Sequence, residues 1–143
     1  EANIDDMNPE IYPFLLEKML EAGALDAFLT PVVMKKGRPG VLVTATLPRE
    51  NLDSVANVLF RESTTIGLRW RQVHRIKLRR GSDNVSTRWG LIPVKWVELD
   101  GKRRILPEYE QCRIVSEREN VPLKDVYTEV SKVCESASQR DER

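Results

Sequence analysis

In the opening EANIDDMNPE, Glu1, Asn3, Asp5, Asp6 and Glu10 carry side-chain oxygens that suit a hard divalent cation. Mg²⁺ and Mn²⁺ prefer such ligands. The stretch alternates like a strand. Ala2 and Ile4 point one way, and Glu1, Asn3 and Asp5 the other, with same-face neighbours roughly 6.5–7 Å apart. A helix start follows, with Pro9 at its first position and Asn8 or Asp6 available to cap it. The same acids therefore read equally as ordinary capping and turn chemistry.

Four further stretches could carry chemistry. In MKKGRPG, Met34 to Gly40, cations flank glycines, so backbone N–H groups can approach an anion while Lys35, Lys36 and Arg38 supply charge. The Walker A pattern is absent, and a solvated basic hairpin turn is the bland alternative. In RESTTIGLR, Arg61 to Arg69, hydroxyls and a glycine between arginines fit phosphate or ribose binding, or plain helix termination. In LRWRQVHRIKL one strand face holds Leu68, Trp70, Gln72, His74, Ile76 and Leu78. The opposite face holds Arg69, Arg71, Val73, Arg75 and Lys77, and continues to Arg79. That basic stripe suits a polyanion, or pairing with acids on a neighbouring strand or subunit. His74, on the apolar face, reads as a core histidine rather than a ligand or base. In PEYEQCR, Glu108 and Glu110 favour a helix N-terminus, and Tyr109 is available to stack on a base or ribose.

The elements that must position these groups fall into two patterns. After the opening strand, Ile11, Tyr12, Leu15, Leu16, Met19 and Leu20 recur at helical spacing, and Gly23 stops the helix. LDAFLTPVVM reads as a buried strand, VLVTATL as a second, and Leu52, Val55, Ala56 and Leu59 as the next helix. Leu68 to Leu78 supplies a final strand. This order predicts an α+β, ferredoxin-like split βαβ core over residues 1–80. Residues 81–135 are expected to form a β-hairpin (Val85–Trp89 and Ile92–Leu99) with two helices, about Pro107–Glu119 and Pro122–Glu135. Asp100-Gly101 is a turn signal. Residues 136–143 read as a disordered tail.

The 143-residue length fits one domain or a domain with an appendage. Lys and Arg number 23 against 22 Asp and Glu, so net charge selects no partner. No apolar run reaches the roughly 18–20 residues of a membrane span, and the acidic start is no signal peptide. The chain reads as a fragment of a longer protein, since it opens inside a strand without Met. Cys112 and Cys134 lack CxxC spacing, which argues against zinc and for a reduced, cytoplasmic protein. A single histidine on an apolar face supports no nucleophilic triad.

Together, NIDDMNPE, LDAFLTPVVMKKGRPG, FRESTTIGLR and PEYEQCR followed by VPLKDVY resemble the C-terminal domain of the LarC family over about residues 1–130. That family's members are nickel insertion proteins, which complete the nickel-pincer nucleotide cofactor of lactate racemase. The resemblance implies a CTP-dependent metal-inserting enzyme (a lyase) in which CTP, with Mn²⁺ or Mg²⁺, binds this domain and is cleaved to CMP and pyrophosphate. It also implies the nickel-pincer nucleotide precursor and nickel as substrates, and a homo-oligomer built on trimers. On that basis Glu1, Asp5 and Asp6 are expected at the metal, and Lys35, Lys36, Gly37, Arg38, Thr64, Thr65, Arg69 and Tyr109 at the nucleotide. Asp5, Asp6 and Lys36 would carry the catalysis, and a subunit interface would unite the opening acids with the middle hairpin. The family usually has Thr at the position of Ala2. A ferredoxin-like RNA-binding module and a non-catalytic oligomerisation or regulatory domain are the rival readings. The absence of the aromatic RNP1 pattern speaks against nucleic acid as partner.

Overall fold

The computed structural model describes residues 1–140 and divides into two compact units, Glu1–Val73 and a second from His74 onward. The class is α+β.

In the first unit the chain runs β1 (Ala2–Ile4), α1 (Tyr12–Glu21), β2 (Asp26–Val33), β3 (Pro39–Thr46) and α2 (Leu52–Glu62). Asn8 begins the first helical segment by accepting the Glu10 N–H on Oδ1 at 3.1 Å, which leaves Asp6 free of capping duty. Gly23, at φ +100°, ends α1 with N–H bonds from Gly23 and Ala24 back to Leu20 and Met19. The sheet order is β1-β3-β2, antiparallel throughout. Two helices cover one face. Ala2, Ile4, Leu15, Met19, Val43, Val55 and Leu59 close the core there, with Tyr12 beside them.

This is the split β-α-β order expected from sequence, with two corrections. β2 is not buried. It lies at the sheet edge and turns only Ala27 and Leu29 to the helices, leaving Phe28 45% and Val33 80% exposed. Leu68 to Leu78 is not a strand. Its pairing ends after one reciprocal couple, in which Arg69 and Glu1 exchange both backbone hydrogen bonds at 2.9 and 2.8 Å. That couple lies beside β1, where a fourth strand would stand. Residues 70–78, where the alternation continues, form no strand and are exposed. His74 is exposed with them rather than packed in a core, and Ile76 is 99% exposed.

The second unit is a three-stranded meander, β4 (Arg79–Thr87), β5 (Gly90–Leu99) and β6 (Lys102–Pro107), followed by α3 (Tyr109–Glu119) and α4 (Leu123–Arg140). The expected hairpin thus gains a third strand. Asp100 and Gly101, both left-handed at φ 52° and 75°, make the two-residue turn that folds β6 back on β5. Gly81 is required because the Trp96 ring lies across it; an added Cβ would come within 2.6 Å of the indole. Both helices pack on one face, over Val85, Ile92, Val94, Ile105, Val115, Val126 and Val130.

α4 continues through residues 136–140, where a tail was expected. Ala137 packs on the core, and Ser138 Oγ accepts the Ile105 N–H at 2.8 Å while donating to the Cys134 carbonyl at 2.9 Å. The helix is therefore anchored to β6. Residues 141–143 of the expected tail lie outside the described residues. No helix among the described residues is long and apolar enough to cross a membrane.

Cys112 and Cys134 are free and buried in this core. Burial pushes both thiols up, Cys134 to about 11, with Cys112 and Glu135 adding to the rise. The folded state holds these protons where the unfolded chain releases them, so stability is full below the ordinary thiol range and falls as pH climbs through about 9 to 11. Urea unfolding followed across that interval is expected to show the decline, and a Cys134→Ala variant to show less of it. Thiol-specific alkylation at pH 8 is expected to label neither cysteine until the chain unfolds.

Candidate functional site

The register of β1 on β3 builds the first unit's charged cluster. Ile4 pairs with Val41, so the strand hands Asp5 over beside the start of β3 and the loop that precedes it. That loop is closed by the Met34 N–H donating to the Arg38 carbonyl at 2.8 Å. Within it Lys36 and Gly37 are both left-handed, at φ 64° and 70°. Glycine adopts this freely, whereas a lysine there carries roughly 1 kcal/mol of strain. Arg38 Nη1 then meets Asp5 Oδ2 at 3.3 Å. One chain thus brings the opening acids and the middle hairpin together, which corrects the expectation that a subunit interface is needed for it.

A third segment arrives from the end of α2. The Thr64 hydroxyl donates to Asp6 Oδ1 at 2.5 Å. Ser63 and Thr65 shape this turn: Ser63 Oγ donates to the Leu59 carbonyl, and Thr65 Oγ1 to the Gly67 carbonyl at 2.8 Å. Behind Asp6 stands Tyr12, whose phenol is pushed up by burial and then by the Asp6 charge.

Arg69 and Arg71 hold the other end of β1. Arg69 Nε meets Glu1 Oε2 at 3.0 Å, its Nη1 donates to Asn3 Oδ1 at 2.6 Å, and Arg71 Nη2 meets Glu1 Oε1 at 3.4 Å. Glu1 and Asn3 therefore serve as acceptors for arginine in this state. Arg71 was not singled out for the site by sequence; its period-two spacing from Arg69 is the signal that could have found it. Part of the basic stripe pairs with acids, as Arg79 also does with Glu98 at 3.6 Å.

Among the described residues no group of three or more His, Cys, Asp or Glu is gathered for a metal. Asp5 and Asp6 offer at most two adjacent carboxylates, which is what Mg²⁺ or Mn²⁺ needs when phosphates and waters complete the shell. Lys35 and Lys36 are exposed and make no ion pair among the described residues, so their ammonium groups are free to meet an anion. Tyr109 belongs to the second unit, at the start of α3.

The nickel insertion protein family matches residues 1–127. A curated relative from Dictyoglomus thermophilum is 47% identical over 135 residues, which is 94% of this chain and 35% of that protein. The pyridinium-3,5-bisthiocarboxylic acid mononucleotide nickel insertion protein of Thermotoga petrophila is 42% identical over 131 residues, 91% of this chain and 33% of its own length. The chain thus spans about a third of the length of the curated relatives it matches. Among solved structures it is similar to LarC2, described as the C-terminal domain of a cyclometallase involved in the synthesis of the NPN cofactor of lactate racemase, in its apo form. The TM-score is 0.85, with 30% identity and 92% of each chain covered. The fold is also shared with protein MK0293 from Methanopyrus kandleri AV19, at TM-score 0.65 and 22% identity over 96% of this chain and 83% of that one.

Gly40 lets the cluster close. A Cβ there would lie 2.7 Å from Met34 Sδ and 2.9 Å from the Ile4 carbonyl oxygen, which is backbone and cannot turn away. Gly40→Ala is expected to lower stability by about 1–3 kcal/mol in urea unfolding, since β3 must shift off β1.

Proposed function

Since the chain belongs to the nickel insertion protein family, we propose that it is the nucleotide-binding domain of a CTP-dependent nickel insertase, an enzyme that completes a nickel-pincer nucleotide cofactor such as that of lactate racemase. Nickel and the pyridinium mononucleotide precursor are its substrates in this reading, as the name of the Thermotoga petrophila relative has it for that protein. The observation that carries the nucleotide assignment is the meeting of three segments: Asp5 with Arg38, Asp6 with Thr64, and, on the loop that carries Arg38, two lysines that make no ion pair among the described residues. A metal–nucleotide needs carboxylates for its cation and cations for its phosphates in one place.

Without ligand Asp5 is paired with Arg38. A half-exposed pair such as Asp5–Arg38 contributes only about 0–1 kcal/mol, so opening it costs little. Asp5 would be available to hold the divalent cation, and Arg38, its partner without ligand, would be available to a phosphate. Asp6 would help hold the cation, with Thr64 as its orienting donor, while Thr65 stands next along the same turn. Lys35, Lys36 and the Gly37 N–H meet the β- and γ-phosphates and offset charge as pyrophosphate leaves. Mg²⁺ or Mn²⁺ would supply Lewis acidity for attack of water on the α-phosphorus, which forms the new P–O bond of CMP as the α–β bridging P–O bond breaks and pyrophosphate leaves. Arg69 acts here as a positioning residue, fixing Glu1 and Asn3 so that β1 presents the two aspartates. Assembly as a trimer-based homo-oligomer in the cytoplasm, without nucleic acid or membrane as partner, belongs to the same reading.

Calorimetry of the chain with CTP and Mn²⁺ tests this, with EDTA, ATP, GTP and UTP as controls. Binding is expected for CTP with metal only. Asp5→Asn and Lys36→Ala are each expected to weaken it about tenfold or more, or 1.4 kcal/mol. Unchanged affinity in both variants would remove the assignment. Release of pyrophosphate by the longer protein but not by this chain would confine this domain to binding.

A further inference from the structure

The second unit holds a concavity that the proposed CTP site does not use. The first turn of α3 and one stripe of α4 bound a shallow groove of ≈ 660 Å³. Lys124, Tyr127, Thr128, Lys132 and Glu135 recur along α4 at three- to four-residue spacing, and Tyr109 faces them from α3. Both phenol rings are accessible, Tyr109 at 58% and Tyr127 at 39% exposure. Lys124 and Lys132 are exposed and make no ion pair among the described residues. The Thr128 hydroxyl is taken up within its own helix, donating to the Lys124 carbonyl at 2.8 Å.

This wall combines two properties that rarely serve one simple ligand. Electron-rich rings attract a flat cation through their faces. Free ammonium groups attract phosphate and carboxylate-type anions. A pyridinium mononucleotide carries all of these: a positively charged aromatic ring, acidic ring substituents and one phosphate. Glu135, the acid in the wall, complements the ring's positive charge and disfavours a ligand that is anionic throughout. A nucleoside triphosphate is a poorer match, because its base is uncharged and its charge lies in one long tail.

We propose that this groove binds the pyridinium mononucleotide substrate, with its ring against Tyr109 and Tyr127 and its anionic groups on Lys124 and Lys132. The inference rests on the proposed function for the class of substrate, and on a different surface of the chain for the site.

Nicotinic acid mononucleotide, which has a pyridinium ring, one carboxylate and one phosphate, is the probe. It would be titrated into the whole chain by calorimetry or by amide NMR, beside uridine monophosphate as the uncharged-ring control. The expected result is binding of the pyridinium probe about tenfold tighter than the control. Tyr127→Leu and Lys124→Gln should each weaken probe binding about five- to tenfold, with Tyr127→Phe close to the parent. Both positions are exposed, and melting curves by circular dichroism confirm that the variants are folded. Affinity for CTP with Mn²⁺ should be the same in all of them. No probe binding at millimolar concentration, equal binding of the control, or variants that bind like the parent would overturn the proposal. Probe binding that follows the variants while CTP does not bind at all would sustain the groove and remove the CTP site. The reverse pattern would do the opposite.

Discussion

The three residues of β1 are the constraint on which the first unit depends. Ala2 and Ile4 are buried and anchor the strand in the core, while Asn3 points away from it. Pairing of these residues with Val43, Leu42 and Val41 sets where Asp5 and Asp6 emerge. A shift of one residue would turn Ala2 and Ile4 out to solvent and send both aspartates to the wrong side. β1 as described covers three residues. It is held on one side by β3, at the close approach over Gly40, and on the other by the single backbone couple between Glu1 and Arg69. The Arg69 side chain repeats that clasp through Glu1 and Asn3.

The carboxylates of this cluster each have a partner within the chain. Asp5 has Arg38, Glu1 has two arginines, and Asp6 has a hydroxyl. Such exposed pairs are weak, and weakness suits a site that must exchange partners. A buried, fully satisfied ion pair would resist a ligand, because separating it leaves charges without solvent or partner. The two loop lysines add cationic charge without any pairing to undo. The left-handed Lys36 keeps the loop tight, so backbone N–H groups and ammonium groups sit on one short turn.

The second unit is organised by packing instead of charge. Two buried thiols belong to its core, and α4 extends because Ser138 and Ala137 tie its last turns to β6. The outer stripe of α4 stays free of those duties. Its tyrosine and lysines are therefore not explained by the core, whereas the stripe of Val126, Val130 and Cys134 is.

By itself the sequence determined the local elements and the chemical inventory. Helical spacing marked α1 and α2, and two further helices were expected where α3 and most of α4 stand; Gly23 and Asp100-Gly101 marked a helix end and a turn; the acids, the Lys/Arg/Gly loop and the hydroxyls were all legible as residue types. The family resemblance was legible too, because long ordered motifs survive where single residues do not. What only the tertiary structure decided was pairing. Alternation at Leu68–Leu78 signals strand geometry, but a strand also needs a neighbour, and residues 70–78 belong to no sheet among the described residues. For the same reason His74 and Ile76 lie exposed although their pattern suggests a core. β2 is apolar enough to be central yet lies at an edge, since its place follows from the sheet order and not from its composition. The meeting of Asp5 with Arg38 and of Asp6 with Thr64 spans 33 and 58 residues of chain. No local spacing encodes such contacts; they arise when strand register and helix packing bring separate segments to the same end of the sheet.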